Sequence, residues 1–174
     1  MRKKSIYLHH NLEDIPDFKL PEGFKFVSYQ KGYEKQWAQI LVETGEFAGE
    51  RDALKAFARE FSWKKDLYRF MFFIEKEDGT LIATATAWHG TINERFIGRV
   101  HWVDILPEHQ GFGLSRPLIA KCMRMINERH EDAYLKTHRQ RQVAVHLFLR
   151  MGWRPMIVKP EEKTVWKELG YFKY

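Results

Sequence analysis

Between residues 105 and 120 the chain reads ILPEHQGFGLSRPLIA. An apolar run stops at Pro107, two glycines follow with one residue between them, and an apolar spacing of helical period resumes. The first four N–H groups of a helix have no partner inside it, and the macrodipole places partial positive charge there. Gly111 and Gly113 remove side chains from the turn entering the helix expected over 114–129, so an anion can approach this backbone closely. The guest that fits is a phosphate or pyrophosphate. Ser115, in the first turn, can add a hydroxyl donor or serve as the cap. Other phosphate loops fit worse. GFGLSR lacks the third glycine of the dinucleotide fingerprint, and no Gly-Lys-Ser/Thr is present for a Walker loop. A strand-to-helix turn that only needs flexible residues is the competing reading of Gly-x-Gly taken alone.

Just upstream, RVHWVD (99–104) offers two groups that can move protons. An imidazole with an ordinary pKa of about 6.5 suits proton removal at neutral pH, directly or through water, which makes His101 a candidate base. It is also readable as a core or interface histidine bonded to a neighbour. Asp104 can accept a proton from an ammonium substrate, or can simply pin the loop after Pro107. Trp88 and Trp102 suit either core packing or an acceptor site. His9 and His10 have no partners at metal-ligand spacing, so no metal is expected, and Cys122 lies within LIAKCMRMI as a packing residue.

Periodicity supplies the scaffold that must hold these groups. Residues 23–30 (GFKFVSYQ) alternate as a strand. A helix over 33–44 puts Trp37, Ile40 and Leu41 on one face, and one over 50–61 does so with Leu54, Phe57 and Phe61. Within 69–90, two β-rich runs flank Asp78-Gly79, a strong hairpin signal. Residues 95–106 form a strand that is apolar on both faces and therefore central in a covered sheet. A strand over 132–137, a helix over 142–151 and strands within 152–158 and 163–174 complete the chain. Residues 1–22 read as a loosely attached arm, 23–174 as a single domain, and 62–70 as a loop. The order predicts a mixed α/β domain with an antiparallel first half and a βαβ-like centre.

Composition limits the partners. The chain has 174 residues, 44% hydrophobic and 15% aromatic, which is enough for a packed core. No window approaches the ~20 apolar residues of a membrane span, so no membrane partner is expected. The basic start has no apolar h-region and does not read as a signal peptide. One cysteine fits a reducing compartment, and a cytoplasmic location is expected. The net charge of +6 comes from 29 Lys/Arg spread among 23 Asp/Glu, with KTHRQR (136–141) as the densest run. Nucleic-acid binders concentrate such residues in a patch with aromatics between them, so surface solvation is the favoured reading and no nucleic-acid partner is expected.

DILPEHQGFGLSRPLI resembles the acyl-CoA motif of the GCN5-related N-acetyltransferases (GNAT). That motif runs apolar-x-Pro-x-x-Gln/Arg-Gly-x-Gly-x-Gly/Ala into a helix; Ile105, Pro107, Gln110, Gly111 and Gly113 fall on it, with Ser115 at the last small position. AVHLFLRMGWRP resembles the second signature of the family through Ala144, Leu147, Gly152 and Trp153, and LKTHRQRQVA resembles a lead-in found in part of it. The resemblance implies a GNAT-type α/β (mixed) fold: a mostly antiparallel sheet of about six to seven strands, splayed at its middle, with about four helices. It implies acetyl-CoA (coenzyme A) as cosubstrate, no metal, and direct attack by a primary amine of a small molecule or peptide. Pantetheine would pair near Ile105, and the pyrophosphate would sit on the amides of Gln110, Gly111, Phe112, Gly113, Leu114 and Ser115. A monomer or homodimer is expected.

Two positions depart from the family. Phe148 stands where a tyrosine often acts as general acid, so that role is vacant, unnecessary for a thiolate, or taken by another group such as Tyr134, Tyr171 or Tyr174. Arg141 replaces a frequent asparagine; it can pair with a coenzyme A phosphate or be a solvated helix start, while Arg139 and His138 read as surface residues. His101 matches the second histidine of His-x-His-x-Leu-Ala-Val in arylalkylamine acetyltransferases, with Arg99 in place of the first. Phe148 also supports the alternative of a non-catalytic acyl-CoA-binding sensor or interaction module.

Overall fold

One strand of the sheet comes from residues expected to hang loose. The structure, a computed structural model, describes residues 5–62 and 64–171. Ser5–His10 forms strand β1, in which Ile6 and Leu8 are fully buried and burial alternates along the strand. It pairs antiparallel with Ala133–His138 over its whole length and with Arg154–Met156 on its other edge. The expectation of a loose arm therefore fails for residues 5–10, and beyond them Leu12 is also buried in the core. The period-two pattern is only six residues long and its partners lie more than a hundred residues away, so nothing local announces the pairing.

The remaining elements are β2 (Phe24–Ser28), α1 (Glu34–Glu43), α2 (Glu50–Glu60), α3 (Leu67–Phe70), β3 (Met71–Lys76), β4 (Leu81–Ile92) and β5 (Arg95–Ile105). They are followed by α4 (Ser115–Asn127), β6 (Ala133–His138), α5 (Gln142–Arg150), β7 (Arg154–Met156) and α6 (Glu162–Glu168). The β3–β4 hairpin turns at Gly79 (φ +84°), where Asp78 Oδ1 accepts the Thr80 N–H at 3.0 Å. Two helices exceed the expected four. One is the single turn α3, inside the segment read as a loop. The other is α6, where a strand was expected: Glu162, Val165 and Trp166 are buried at helical spacing. Gly170 (φ +84°) closes α6, with the Tyr171 N–H returning to the Trp166 carbonyl at 3.0 Å.

The seven strands run in the order β2-β3-β4-β5-β6-β1-β7, and every adjacent pair is antiparallel except β5–β6. Opposite faces of β5 carry different helices. A Cβ built on Gly98 would lie 2.1 Å from Ile126 Cγ2, so α4 packs tightly on the face of Gly98 and Val100 because position 98 is bare. Arg99 and His101 point the other way, toward α2, whose C-terminal Phe61 packs edge-on to Trp88 and beside His101. Trp37 of α1 joins Phe57 and Phe61 in the same aromatic core.

Leu8→Ala should cost about 2–5 kcal/mol, as for any fully buried leucine. Urea unfolding measures it; a loss below about 0.5 kcal/mol would restore the arm.

Candidate active site

The sheet opens at its centre. β5 and β6 are in register only over Gly98–Val100 and Ala133–Leu135. Past that point β5 stays with β4 as far as Ile105, while β6 stays with β1 as far as His138. The wedge between them lies at the carboxyl ends of two parallel strands, the usual position for a ligand in an α/β sheet. Both strands then lead into helices, α4 and α5, whose N-termini follow the wedge.

The glycine turn lies directly after β5. Gly111 and Gly113 adopt φ +85° and +78°, and a Cβ built on either meets no atom within 4 Å. The bare positions are thus required by left-handed backbone and open outward, not onto packed protein. Among the described residues the amides of Gly111, Phe112, Gly113 and Leu114 have no backbone acceptor. That is a cradle of free donors at a helix N-terminus, and it fits a diphosphate. Gln110 donates Nε2–H to the Ile105 carbonyl at 3.0 Å, tying the loop to the strand end. Phe112 is 57% exposed beside Phe24 and His109, whereas Leu114 is buried. The helix cap is Leu114, with no side-chain bond; Ser115 is already inside the helix and does not act as its cap.

Across β5, toward α1 and α2, stands a second group of side chains. The β4–β5 register jumps between Thr84↔Asp104 and Thr86↔His101, so β5 carries one extra residue, and Trp102 sits at φ +49°. Consecutive strand residues normally face opposite sides. The bulge turns His101 and Trp102 the same way, and both bond one oxygen, Glu60 Oε2, at 2.6 Å and 2.9 Å. Glu60, at the end of α2, carries no motif, and its partners lie 41 and 42 residues away, so sequence reasoning missed it.

Burial pushes the His101 imidazole down to about 4, with the Glu60 bond opposing. Burial works against the Glu60 carboxylate too, but the bonds from His101 and Trp102 outweigh it and hold its pKa at about 2. At neutral pH the pair is therefore a neutral imidazole giving its Nε2–H to a carboxylate, a tautomer assigned from the partner.

Asp104, 7% exposed, follows on the same face. Burial raises its carboxyl to about 7, against the Thr44 hydroxyl, which favours the charged form. The Arg141 guanidinium, 3.7 Å away, acts in the same direction as Thr44. Arg141 also pairs with Glu46 and so links the start of α5, the α1–α2 connection and β5 across the mouth of the wedge. Its two carboxylates already engage it.

The other candidates lie elsewhere. Phe148 is buried edge-on to Trp153. Tyr134 reaches toward Gly90, where a Cβ would meet its hydroxyl at 2.3 Å, far along β4 from Ile105. Tyr171 packs on Trp166 and His146, and Tyr174 falls outside the described residues. Arg139 pairs with Glu168. Trp88 and Trp102 are partly buried aromatics on the α2 side of the sheet. Cys122 is fully buried, and its thiol pKa is raised by that burial. No cluster of three or more His, Cys, Asp or Glu able to hold a metal occurs among the described residues, and no helix among them is long and apolar enough to cross a membrane. A surface hollow of about 300 Å³ beside α1, lined by Lys35, Gln36, Gln39 and Glu50, contains none of the groups described above.

The sequence profile of the Acetyltransferase (GNAT) family matches residues 34–153, more than half of the chain. The chain belongs to this family. No curated protein matches it significantly. The fold is shared with a GCN5-related N-acetyltransferase from Sphaerobacter thermophilus (TM-score 0.66, 15% identity, 87% of this chain and 48% of that one). It is also shared with a GNAT-family acetyltransferase from Colwellia psychrerythraea (0.69, 9%, 88% and 53%). An aminoglycoside N-acetyltransferase solved in complex with CoA aligns at 0.61 and 17% identity, over 81% of this chain and 96% of that one. The chain thus spans about half the length of the first two.

Asp104 gives the site a distinctive pH dependence. With a folded pKa of about 7 against an ordinary 3.8, the folded state keeps a proton that the unfolded chain releases between about pH 4 and 7. Its contribution is complete below pH 4 and is lost as pH rises to about 7. Relative to the parent protein, Asp104→Asn should gain stability across that window, on the order of a few kcal/mol. Urea unfolding at stepped pH checks this, and a difference that stays flat with pH would contradict the raised pKa.

Proposed function

We propose that the chain transfers an acetyl group from acetyl-CoA to a primary amine of a small molecule or peptide, by direct attack within a ternary complex. One observation carries this reading. A bare, positively biased loop stands at the mouth of a splayed parallel pair, and a buried carboxylate with a pKa near neutrality stands on the same strand.

Acetyl-CoA supplies a thioester carbonyl and a thiolate leaving group. The amides of 111–115 hold its diphosphate, the Gln110 N–H being already bonded to the Pro107 carbonyl, and the end of β5 near Ile105 aligns its pantetheine arm. The bulge leaves Trp102 and Val103 without a register partner on β4, and we assign their amides to polarising the carbonyl. An acceptor amine arrives as an ammonium ion and must lose a proton. Asp104 is assigned as the acceptor of that proton, because its pKa of about 7 matches neutral operation better than the value of about 4 at His101. Arg141 positions Asp104 and favours its charged form. His101, oriented by Glu60, lines the amine's approach and can relay a proton through Nδ1. Neither Tyr134 nor Tyr171 stands in place of Phe148, and the thiolate is assigned to leave without a proton from either. Phe148 equally favours an acyl-CoA-binding module without catalysis, which an amine panel separates from the enzyme.

Calorimetry with acetyl-CoA should show micromolar binding that Gly113→Val abolishes. The fold should survive, because a Cβ at this position meets no atom within 4 Å and the left-handed backbone costs about 1–2 kcal/mol. Unchanged affinity in the variant would remove the phosphate loop.

The rate against an amine should rise with pH through a limb near 7. Asp104→Asn should erase that limb and His101→Ala should leave it in place. A limb that instead disappears only in His101→Ala would transfer the role of base to the histidine.

A further inference from the structure

Arg99 stands on β5 two residues before His101, and alternation along the strand puts both on the face turned toward α2. Its guanidinium makes no hydrogen bond and no ion pair among the described residues. The Nε atom is sealed from solvent without an acceptor. An arginine carries five donors in a planar fork, and leaving a buried one unpaired is costly, so native proteins rarely do it without a reason.

The neighbourhood of Arg99 forms one contiguous patch. Arg99 is in register with Tyr134 on β6, and its Cζ lies 5.7 Å from the centroid of that ring. Tyr7 of β1 is 6.5 Å from Tyr134 between ring centroids, and Lys136 Nζ lies 5.9 Å from the centroid of the Tyr7 ring. Gly90 is bare where the Tyr134 hydroxyl passes, which fixes the phenol as a wall beside the guanidinium.

The carboxylates around this patch are all committed elsewhere. Glu60 accepts from His101 and Trp102, Asp132 pairs with His9 and Arg95, and Glu162 accepts the amides of Val158 and Lys159. Glu60 is near enough for the Arg99 charge to help hold it ionised, and Glu162 near enough to raise the Tyr7 phenol, but neither carboxylate bonds a cation of the patch, so the Arg99 fork has no hydrogen-bond acceptor among the described residues.

We propose that Arg99 receives an anionic group of the acceptor, a carboxylate or a phosphate, so that the substrate is a small amine with a negative charge close to its nitrogen. This rests on the reading of the chain as an N-acetyltransferase. The spacing limits the size of the acceptor. Residues two apart on a strand stand about 7 Å from each other, so an anion at Arg99 is separated by about that much from an amine at His101, whose Nδ1 passes the proton on toward Asp104. The charges also sort the two ends. An ammonium group is drawn to the Glu60 and Asp104 end of β5, and the planar fork of Arg99 matches carboxylate and phosphate oxygens at the other.

The test compares four acceptors: β-alanine, its amide, O-phosphoethanolamine and ethanolamine. The parent protein should favour at least one anionic amine over its uncharged counterpart by about tenfold or more in kcat/KM, the scale of one lost charge-assisted fork. Arg99→Gln should bring that ratio close to one, mainly through KM, and Arg99→Lys should retain part of it. Preference for β-alanine points to a carboxylate and preference for O-phosphoethanolamine to a phosphate. A ratio that survives Arg99→Gln, or a parent protein indifferent to charge, overturns the proposal.

Direct binding, followed by tryptophan fluorescence on the same four compounds, separates this outcome from a failure of the acetyltransferase reading. If no amine is acetylated but an anionic amine binds the parent protein and not Arg99→Gln, the anion site stands and the enzymatic reading falls. If neither variant discriminates by charge in binding or turnover, the anion site falls. Should Arg99→Gln fail to fold by circular dichroism, Arg99→Lys supplies the comparison: an undiminished preference there would overturn the fork as the source of selectivity.

Discussion

A three-residue contact governs this molecule. β5 and β6 are parallel neighbours only over Gly98–Val100 and Ala133–Leu135, and the glycine loop, Asp104 and Arg141 lie where they part. A sheet cannot open at its centre without exposing unpaired backbone unless each strand finds its ladder on the other side. β4 provides that for β5 as far as Ile105. For β6 the partner is β1, which accompanies it to His138. The N-terminal strand lies outside the stretch matched to the family, yet it is what lets β6 diverge without orphaned amides. At the closed end, bare Gly98 lets α4 lie almost against the sheet.

The wedge acquires chemistry because its two sides differ. One is backbone: left-handed glycines and free amides entering α4. The other is side chain. Glu60, Asp104 and Arg141 are partly or largely withdrawn from water, and each has a partner that offsets the cost of that burial. Glu60 is held ionised by two donors, while Asp104, with weaker compensation, titrates near neutrality. Two carboxylates on one face thereby acquire different protonation behaviour from different surroundings. Arg99 breaks the pattern of compensation, and an anionic ligand would complete it.

Membership of an acetyltransferase family defines the scaffold and leaves the acceptor to the particular side chains along β5. The bulge at Trp102 matters most here. One inserted residue with φ +49° places two neighbouring side chains on a single carboxylate, and a regular strand would send the indole to the opposite face, against α4.

The sequence by itself determined whatever depends on near neighbours along the chain. Helical spacing announced α1, α2, α4 and α5, Asp78-Gly79 announced the hairpin, and the doubly apolar run 95–106 announced the central strand. Gly111 and Gly113 were legible as a left-handed, bare turn because that backbone requirement is itself local. Tertiary structure decided what depends on distant partners. Glu60 meets His101 across 41 residues, Glu46 meets Arg141 across 95, and His9 meets Asp132 across 123. A six-residue strand, an inserted bulge residue and an arginine with no hydrogen-bond acceptor among the described residues leave no periodic trace. The C-terminal helix was mistaken for a strand because its short apolar run suits both periods until the core selects one face. Periodicity reports which face of an element is apolar, and only the packed fold reports what that face meets.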